Sequence, residues 1–472
     1  MKRSIFLLLF AVVFVNSFAQ DYRIQVIDKK IKDFIIDNDF STPLNAFVSI
    51  QHLIANGRYR ELDKKSSFRF HVRNQEESVD EETTKEFQAK LLNCEIKMLI
   101  IYCDSVAAVI TKAPDVDYYT YRFLNLEQGI WVNGGEDMGK SFEQANNKVH
   151  AILPLRLMML RRTNEILNTP TDTTAFVNYL KENGEAPKQF LLEALAEHKL
   201  VIFGERHRRE ISWQLLKDLI NDPDFSKVTG TVFMELQSYK QSEIDKFFHN
   251  TVCMDSAIII DIYQDMQLPG WFDKGGFEFL ITLWKLNKKL PDHEKIKVVF
   301  TDFQPPFRII NTPKEWQDFK NNATKRNTHM ANVIEQTIKT SSDSRHNLFI
   351  VGYGHAYKSP AIAEYGESPE GDFSAANQLV KRFSDKDVFS IRVHTSGING
   401  YARGGIFDNA FVKNGGYPVA FQLKGSPFGK EIIEEWAYEK EDFVSFENNY
   451  DGYIYLGGKP IDKQPEYLLT DV

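Results

Sequence analysis

The chain has 472 residues, of which 43% are apolar and 26% charged, and a formal net charge of -8. That length exceeds one ordinary core and sets two domains as the default, while the proportions are those of a folded globular protein. The acidic balance excludes nonspecific nucleic-acid binding, which needs basic patches to meet phosphates, and leaves small-molecule and peptide substrates open.

Residues 1–19 read as a secretory signal peptide. Lys2 and Arg3 supply the charged start, Ile5 to Val15 the apolar stretch, and Ser17-Phe18-Ala19 the small residues of a cleavage site. The stretch is short for a membrane span, and no later run is long and apolar enough to cross a bilayer. The expectation is an exported, periplasmic or extracellular protein with no membrane span after cleavage. Three cysteines, Cys94, Cys103 and Cys253, leave at least one thiol free. Cys94 and Cys103 either pair across a hairpin or stay as buried thiols.

Residues 21–165 read as a small α+β domain. Residues 25–55 have a helical pattern, with Ser41-Thr42-Pro43 as a helix start and Asn56-Gly57 as its end. Residues 71–85 are polar and rich in Glu, a solvated loop. Strand-like runs follow at Glu95–Tyr102, Ser105–Thr111, Asp117–Leu124 and Gly129–Val132, and Asn133-Gly134-Gly135 is a turn signal. Residues 141–163 read as a helix, and Asn168 to Asp172 as the linker.

From about residue 175 to 472 strands and helices alternate, the pattern of a mainly parallel sheet with flanking helices. Strand Leu200–Phe203 leads into Gly204-Glu205-Arg206-His207. Strand Thr231–Met234 leads into Glu235 and a loop through Tyr239, and strand Lys297–Phe300 into Thr301-Asp302. A long helix spans Lys314–Lys339 and carries Arg326. Strand Leu348–Val351 leads into Gly352-Tyr353-Gly354-His355. Glu205, His207, Glu235, Asp302 and His355 therefore fall just past strand ends, where open α/β sheets bind ligands. Gly-x-x-His recurs at Gly204 and Gly352, where a glycine frees the backbone to turn each histidine over the sheet edge.

These residues resemble a superfamily that joins erythromycin esterases, ChaN-type haem-uptake proteins and the Tiki/TraB proteins. The resemblance covers about residues 186–460. It rests on Gly204-Glu205-Arg206-His207, on Glu235 in Phe233-Met234-Glu235-Leu236, on Arg326 in a helix, and on His355 late in the domain. The two-residue step from Glu205 to His207 is similar to the ChaN and Tiki forms, and Gly352 stands where a second late histidine is often found. The resemblance implies an α/β fold and one of several activities.

The first is a hydrolase of an ester or amide. His207 is then the general base for water, Glu205 or Glu235 orients it, Arg326 stabilises an oxyanion, and His355 serves as acid or second base. Asp302, Tyr239 and Tyr353 line the substrate. A divalent metal, implied by the Tiki resemblance, would draw on Glu205, His207, Glu235 and His355. The second activity is haem binding in the envelope, implied by the ChaN resemblance, with His207, His355, Tyr239 or Tyr353 as axial ligand. The third is an inert scaffold in which Glu205 and Arg326 are structural charges. Outside this set, His329 shares a helix face with Arg326 and either joins the site or packs. Trp271, Phe272 and Phe277 read as an aromatic lid or as core.

Overall fold

The protein is described by a computed structural model that covers residues 21–35, 38–58, 61–62, 64–66, 89–114, 116–167, 172–250, 252–265, 274–303, 310–322, 325–359, 373–395, 405–431 and 444–457. The signal peptide expected at 1–19, the Glu-rich loop at 71–85, and Trp271 and Phe272 lie outside these residues. The chain divides into two compact units, Met1–Thr171 with Ala437–Lys440, and Asp172–Trp436 with Glu441–Val472.

The first unit is an antiparallel meander of β1 (Tyr22–Lys30), β2 (Glu95–Tyr102), β3 (Val106–Lys112), β4 (Tyr119–Glu127) and β5 (Ile130–Gly139). Successive side chains of β3 point to opposite faces, the period of a strand. Ala107 and Val109 join a core with Phe47, Ile50 and Leu53 of the helix Pro43–Ala55. Val106, Ala108 and Ile110 join a second core with Ala145, Val149 and Leu153 of the helix Phe142–Leu167.

Two expectations fail here. Residues 25–55 do not form one helical segment, because Tyr22 to Lys30 pairs with Tyr102 to Glu95 as an edge strand. Tyr22, Ile24 and Val26 alternate with polar residues, a period of two, and the helix begins only where the Thr42 side chain accepts the Asn45 amide. Asn133-Gly134-Gly135 is not a turn but lies inside β5, beside a register shift at Arg122 and Leu124 of β4, so the glycines mark a bulge. All three cysteines are free thiols, Cys94 buried and Cys253 exposed.

The second unit is an α/β fold with seven strands: β6 (Leu200–Glu205), β7 (Thr229–Gln237), β8 (Lys297–Asp302), β9 (His346–Gly352), β10 (Val388–His394), β11 (Val419–Gln422) and β12 (Gly452–Tyr455). Their order is β11-β12-β10-β6-β9-β7-β8. Every neighbouring pair is parallel except β11 with β12. β6 is buried along its whole length, as a central parallel strand must be. Val201 and Phe203 enter one apolar layer and Leu200 and Ile202 the other. Phe277 belongs to the first of these cores, on the helix Lys274–Asn287, so it is core and not lid.

The register sets the functional edge. Glu205 lies opposite Gly352, Gly204 opposite Arg392, and Gln237 opposite Asp302. β7 runs on past Met234, so Glu235 is a strand residue, placed at the register shift between Met234 and Gln237 where β7 meets β8. The expected long helix Lys314–Lys339 is two helices, Pro313–Asn322 and Arg326–Thr340. Lys325 has extended backbone and ends the continuity, which places Arg326 at the first position of the second helix. Among the described residues no helix is long and apolar enough to cross a membrane.

Candidate active site

The carboxylates and histidines at this edge are delivered by a strand end or by the first turn after it, and Arg326 and Asn327 by the start of the helix Arg326–Thr340. Glu205 closes β6 and is buried. The chain turns through Arg208, which has positive φ, and brings His207 back over the sheet. His207 Nδ1–H donates to Glu205 Oε1 at 2.6 Å. That bond fixes the tautomer and leaves Nε2 as the working nitrogen. Nε2 lies 4.0 Å from Glu235 Oε2, and the His207 side chain is 34% exposed.

Glu235 is buried, and both its oxygens are used. Oε2 accepts the Gly352 backbone N–H at 2.6 Å. Oε1 accepts from Arg326 Nη2 and lies 3.3 Å from His355 Nε2. Arg326 also donates from Nε to Asp302 Oδ1 at 2.6 Å and from Nη2 to Asp302 Oδ2 at 2.9 Å, a two-point fork. Its Nη1 lies 3.2 Å from His355 Nε2.

His355 is fixed from its other side. Its Nδ1 lies 2.6 Å from Asn327 Oδ1, which also accepts the Ala375 backbone N–H at 3.2 Å. An oxygen that already accepts from an amide requires Nδ1 to be the donor. His355 Nε2 is left between Arg326 Nη1 at 3.2 Å and Glu235 Oε1 at 3.3 Å.

The two Gly-x-x-His turns interlock. A Cβ at Gly352 would lie 2.8 Å from His207 Cε1 and 2.9 Å from its Nε2. A Cβ at Gly204 would lie 2.8 Å from both Ala356 Cβ and the Ile391 carbonyl oxygen, and 3.4 Å from Tyr353 Cα. Each glycine makes room for the other turn. The expectation that they supply an unusual backbone is corrected, since Gly352 has φ of -58° and Gly204 is not among the positive-φ glycines.

The charges act on one another. Burial alone would lower the His207 pKa, but the Glu205 and Glu235 carboxylates outweigh it and push the ring from 6.5 up to about 9. Burial raises the Glu205 carboxyl. Burial works in the same direction on Glu235, yet His355, Arg326 and His207 hold that carboxyl well below 4.5. The stability that His207 contributes is therefore complete below pH 6.5 and is lost as pH rises through about 9. Unfolding midpoints of the intact chain are expected to fall across that window, and less so in His207→Ala.

Asp302 closes β8, buried. Tyr353 opens the turn to His355, and the Arg392 guanidinium stands 3.5 Å over its ring. Tyr239 sits two residues past β7 and is 37% exposed. The structure thus joins Glu205, His207, Glu235, Asp302, Arg326 and His355 in one linked set, with Tyr353 beside it and Tyr239 on the adjoining turn. Sequence reasoning missed the role of Asn327, although it adjoins Arg326, and singled out Gly352 for its backbone and not for the space it leaves to His207. A cavity of about 430 Å³ lies at the other end of the sheet, lined by Lys199, Thr231, Arg345, His346 and Asn347. Arg345 there donates to the carbonyls of Ser226, Glu294 and Lys295, which is a structural task.

An erythromycin esterase and a haem-binding ChaN are among the solved structures that this chain is similar to. The esterase, a mutant in its open conformation, is 8% identical over 58% of this chain and 94% of its own, at a TM-score of 0.39. ChaN of Campylobacter jejuni, with cofacial haem, is 13% identical over 45% of this chain and 87% of its own, at 0.28. A protein from Bacillus cereus is 10% identical over 63% of this chain and 100% of its own, at 0.43. No protein-family model and no curated protein matches the chain.

The acidic and histidine side chains of this edge are not arranged as a metal-ligand set. Among the described residues no group of three or more His, Cys, Asp or Glu side chains is placed to hold a metal ion. The position between Glu235, Asp302 and His355 is filled by the Arg326 guanidinium, itself the balancing cation. Both ring nitrogens of His355 are engaged, and Tyr353 is stacked by Arg392.

Proposed function

We propose that the second unit is a hydrolase that cleaves an ester or amide, acting on a small molecule or peptide met after export. The observation that carries this reading is the His207–Glu205 bond at 2.6 Å on a ring that is 34% exposed. A base held in one tautomer by a buried carboxylate, on a partly exposed ring, is the arrangement that water activation requires. His207 Nε2 takes a proton from water, the oxygen attacks the acyl carbon, and the same nitrogen returns the proton to the leaving group. Arg326 keeps Glu235 ionised and supplies positive charge beside the developing oxyanion. His355, bonded at both nitrogens, positions Arg326 instead of acting as the acid.

The proton balance gives a pH dependence. Only the neutral ring can accept a proton, so kcat/KM for a responsive ester is expected to rise about tenfold per pH unit. The rise levels near pH 9, where His207 loses its charge. Gly352→Ala is expected to displace His207 and cost on the order of 10²-fold in turnover, the scale of a 1 Å misplacement, with little loss of stability. The reading is tested with the chain from Gln20 onward against a panel of acyl esters and peptide amides. Turnover that His207→Ala lacks supports it, and turnover equal in both proteins overturns it.

A further inference from the structure

A second polar pair stands at the same end of the sheet. Ser238 opens the turn that leaves β7, three residues past Glu235, and is partly exposed. Its Oγ lies 2.8 Å from His329 Nε2. Serines in turns ordinarily bond to the backbone a few residues away. This one meets a side chain 91 residues along the chain. His329 is on the helix Arg326–Thr340, one turn past Arg326, so the two share a face. The Phe303 ring packs against the imidazole with centroids 5.2 Å apart.

We propose that Ser238 is a nucleophile for acyl groups, with His329 as its general base. Serine and base within hydrogen-bond reach, on a half-buried ring held by a neighbour, are the geometric requirements for such a nucleophile. Burial lowers the His329 pKa against the pull of Asp302, which favours the neutral ring; with the hydrogen on Nδ1, Nε2 is the acceptor for the hydroxyl. Asp302 also holds Arg326, and Arg326 holds Glu235, which lies 4.0 Å from His207 Nε2.

The step balances without a further reactant. Ser238 Oγ bonds to the carbonyl carbon of an ester while its proton passes to His329 Nε2. The bond to the leaving alcohol breaks, and the alcohol takes that proton. Water then attacks the acyl-serine and gives one proton to His329, which returns it to Ser238 Oγ as the acid departs. The sum is ester plus water to acid plus alcohol.

Only the choice of acyl substrates rests on the hydrolase reading, and the serine has a readout of its own. The intact chain is treated with a fluorophosphonate, which forms a stable bond to an activated serine with loss of fluoride. One adduct per chain on the peptide that contains Ser238 is expected, absent in Ser238→Ala and formed at least about 10²-fold more slowly in His329→Gln. No adduct, an adduct on another side chain, or labelling of His329→Gln at the wild-type rate would overturn the assignment. The adduct position in the unsubstituted chain decides even where a variant folds poorly. Labelling at Ser238 in a chain whose ester turnover survives His207→Ala would keep the serine and remove the water-activation reading. Ester turnover without labelling would do the reverse.

Discussion

In a Ser238→Ala background, His207→Ala is expected to lower ester hydrolysis about 10²- to 10⁴-fold, the range associated with a positioned general base. The fold should survive, because the ring is 34% exposed and its removal empties a solvent-facing site and not the core. Glu205→Gln separates position from charge. The amide oxygen can still accept the Nδ1–H, so the ring keeps its place, but one of the two carboxylates that raise His207 is gone. The rate profile should then bend below pH 9, toward the ordinary 6.5. Activity at neutral pH should fall less than in His207→Ala, because a larger share of the ring is neutral there. Comparing kcat/KM against pH in the two variants and the parent checks both parts.

Arg326→Met is expected to cost about 3–5 kcal/mol in stability, the scale for removing one partner from a buried charge cluster. Glu235 and Asp302 are both fully buried and share this one guanidinium. Without it, two carboxylates face each other out of water, and the Glu235 carboxyl, now held low in part by Arg326, must rise. The triple variant Arg326→Met with Glu235→Gln and Asp302→Asn should recover much of the loss, because it removes the orphaned charges together. Denaturant midpoints of the single and triple variants measure this. A single variant as stable as the parent would mean that Arg326 neutralises nothing.

The strand ends were legible because the chain marks them sharply. Apolar runs such as Leu200–Phe203 and Leu348–Val351 stop at polar residues, and parallel strands carry those stops to one edge. That pattern alone puts Glu205, Glu235, Asp302 and His355 at one edge. β1 was missed because its exposed side chains follow a weak polar alternation that the flanking helix pattern obscured. The helix break before Arg326 was missed because Asn322-Ala323-Thr324-Lys325 contains neither Pro nor Gly. The two glycines were correctly singled out for the wrong reason, since the space each leaves is visible only when the opposing turn is in place. Ser238 carried no motif at all, and its partner became apparent only through the packing of β7 against a distant helix.

The account turns on His207 as a proton-transfer group whose charge is set by Glu205 and Glu235. The most direct test is the titration of the His207 ring by NMR in the intact, histidine-labelled chain, assigned by comparison with His207→Ala. The account predicts a midpoint near 9 that falls in both Glu205→Gln and Glu235→Gln. A midpoint near 6.5 in the parent chain, unmoved by either substitution, would contradict it.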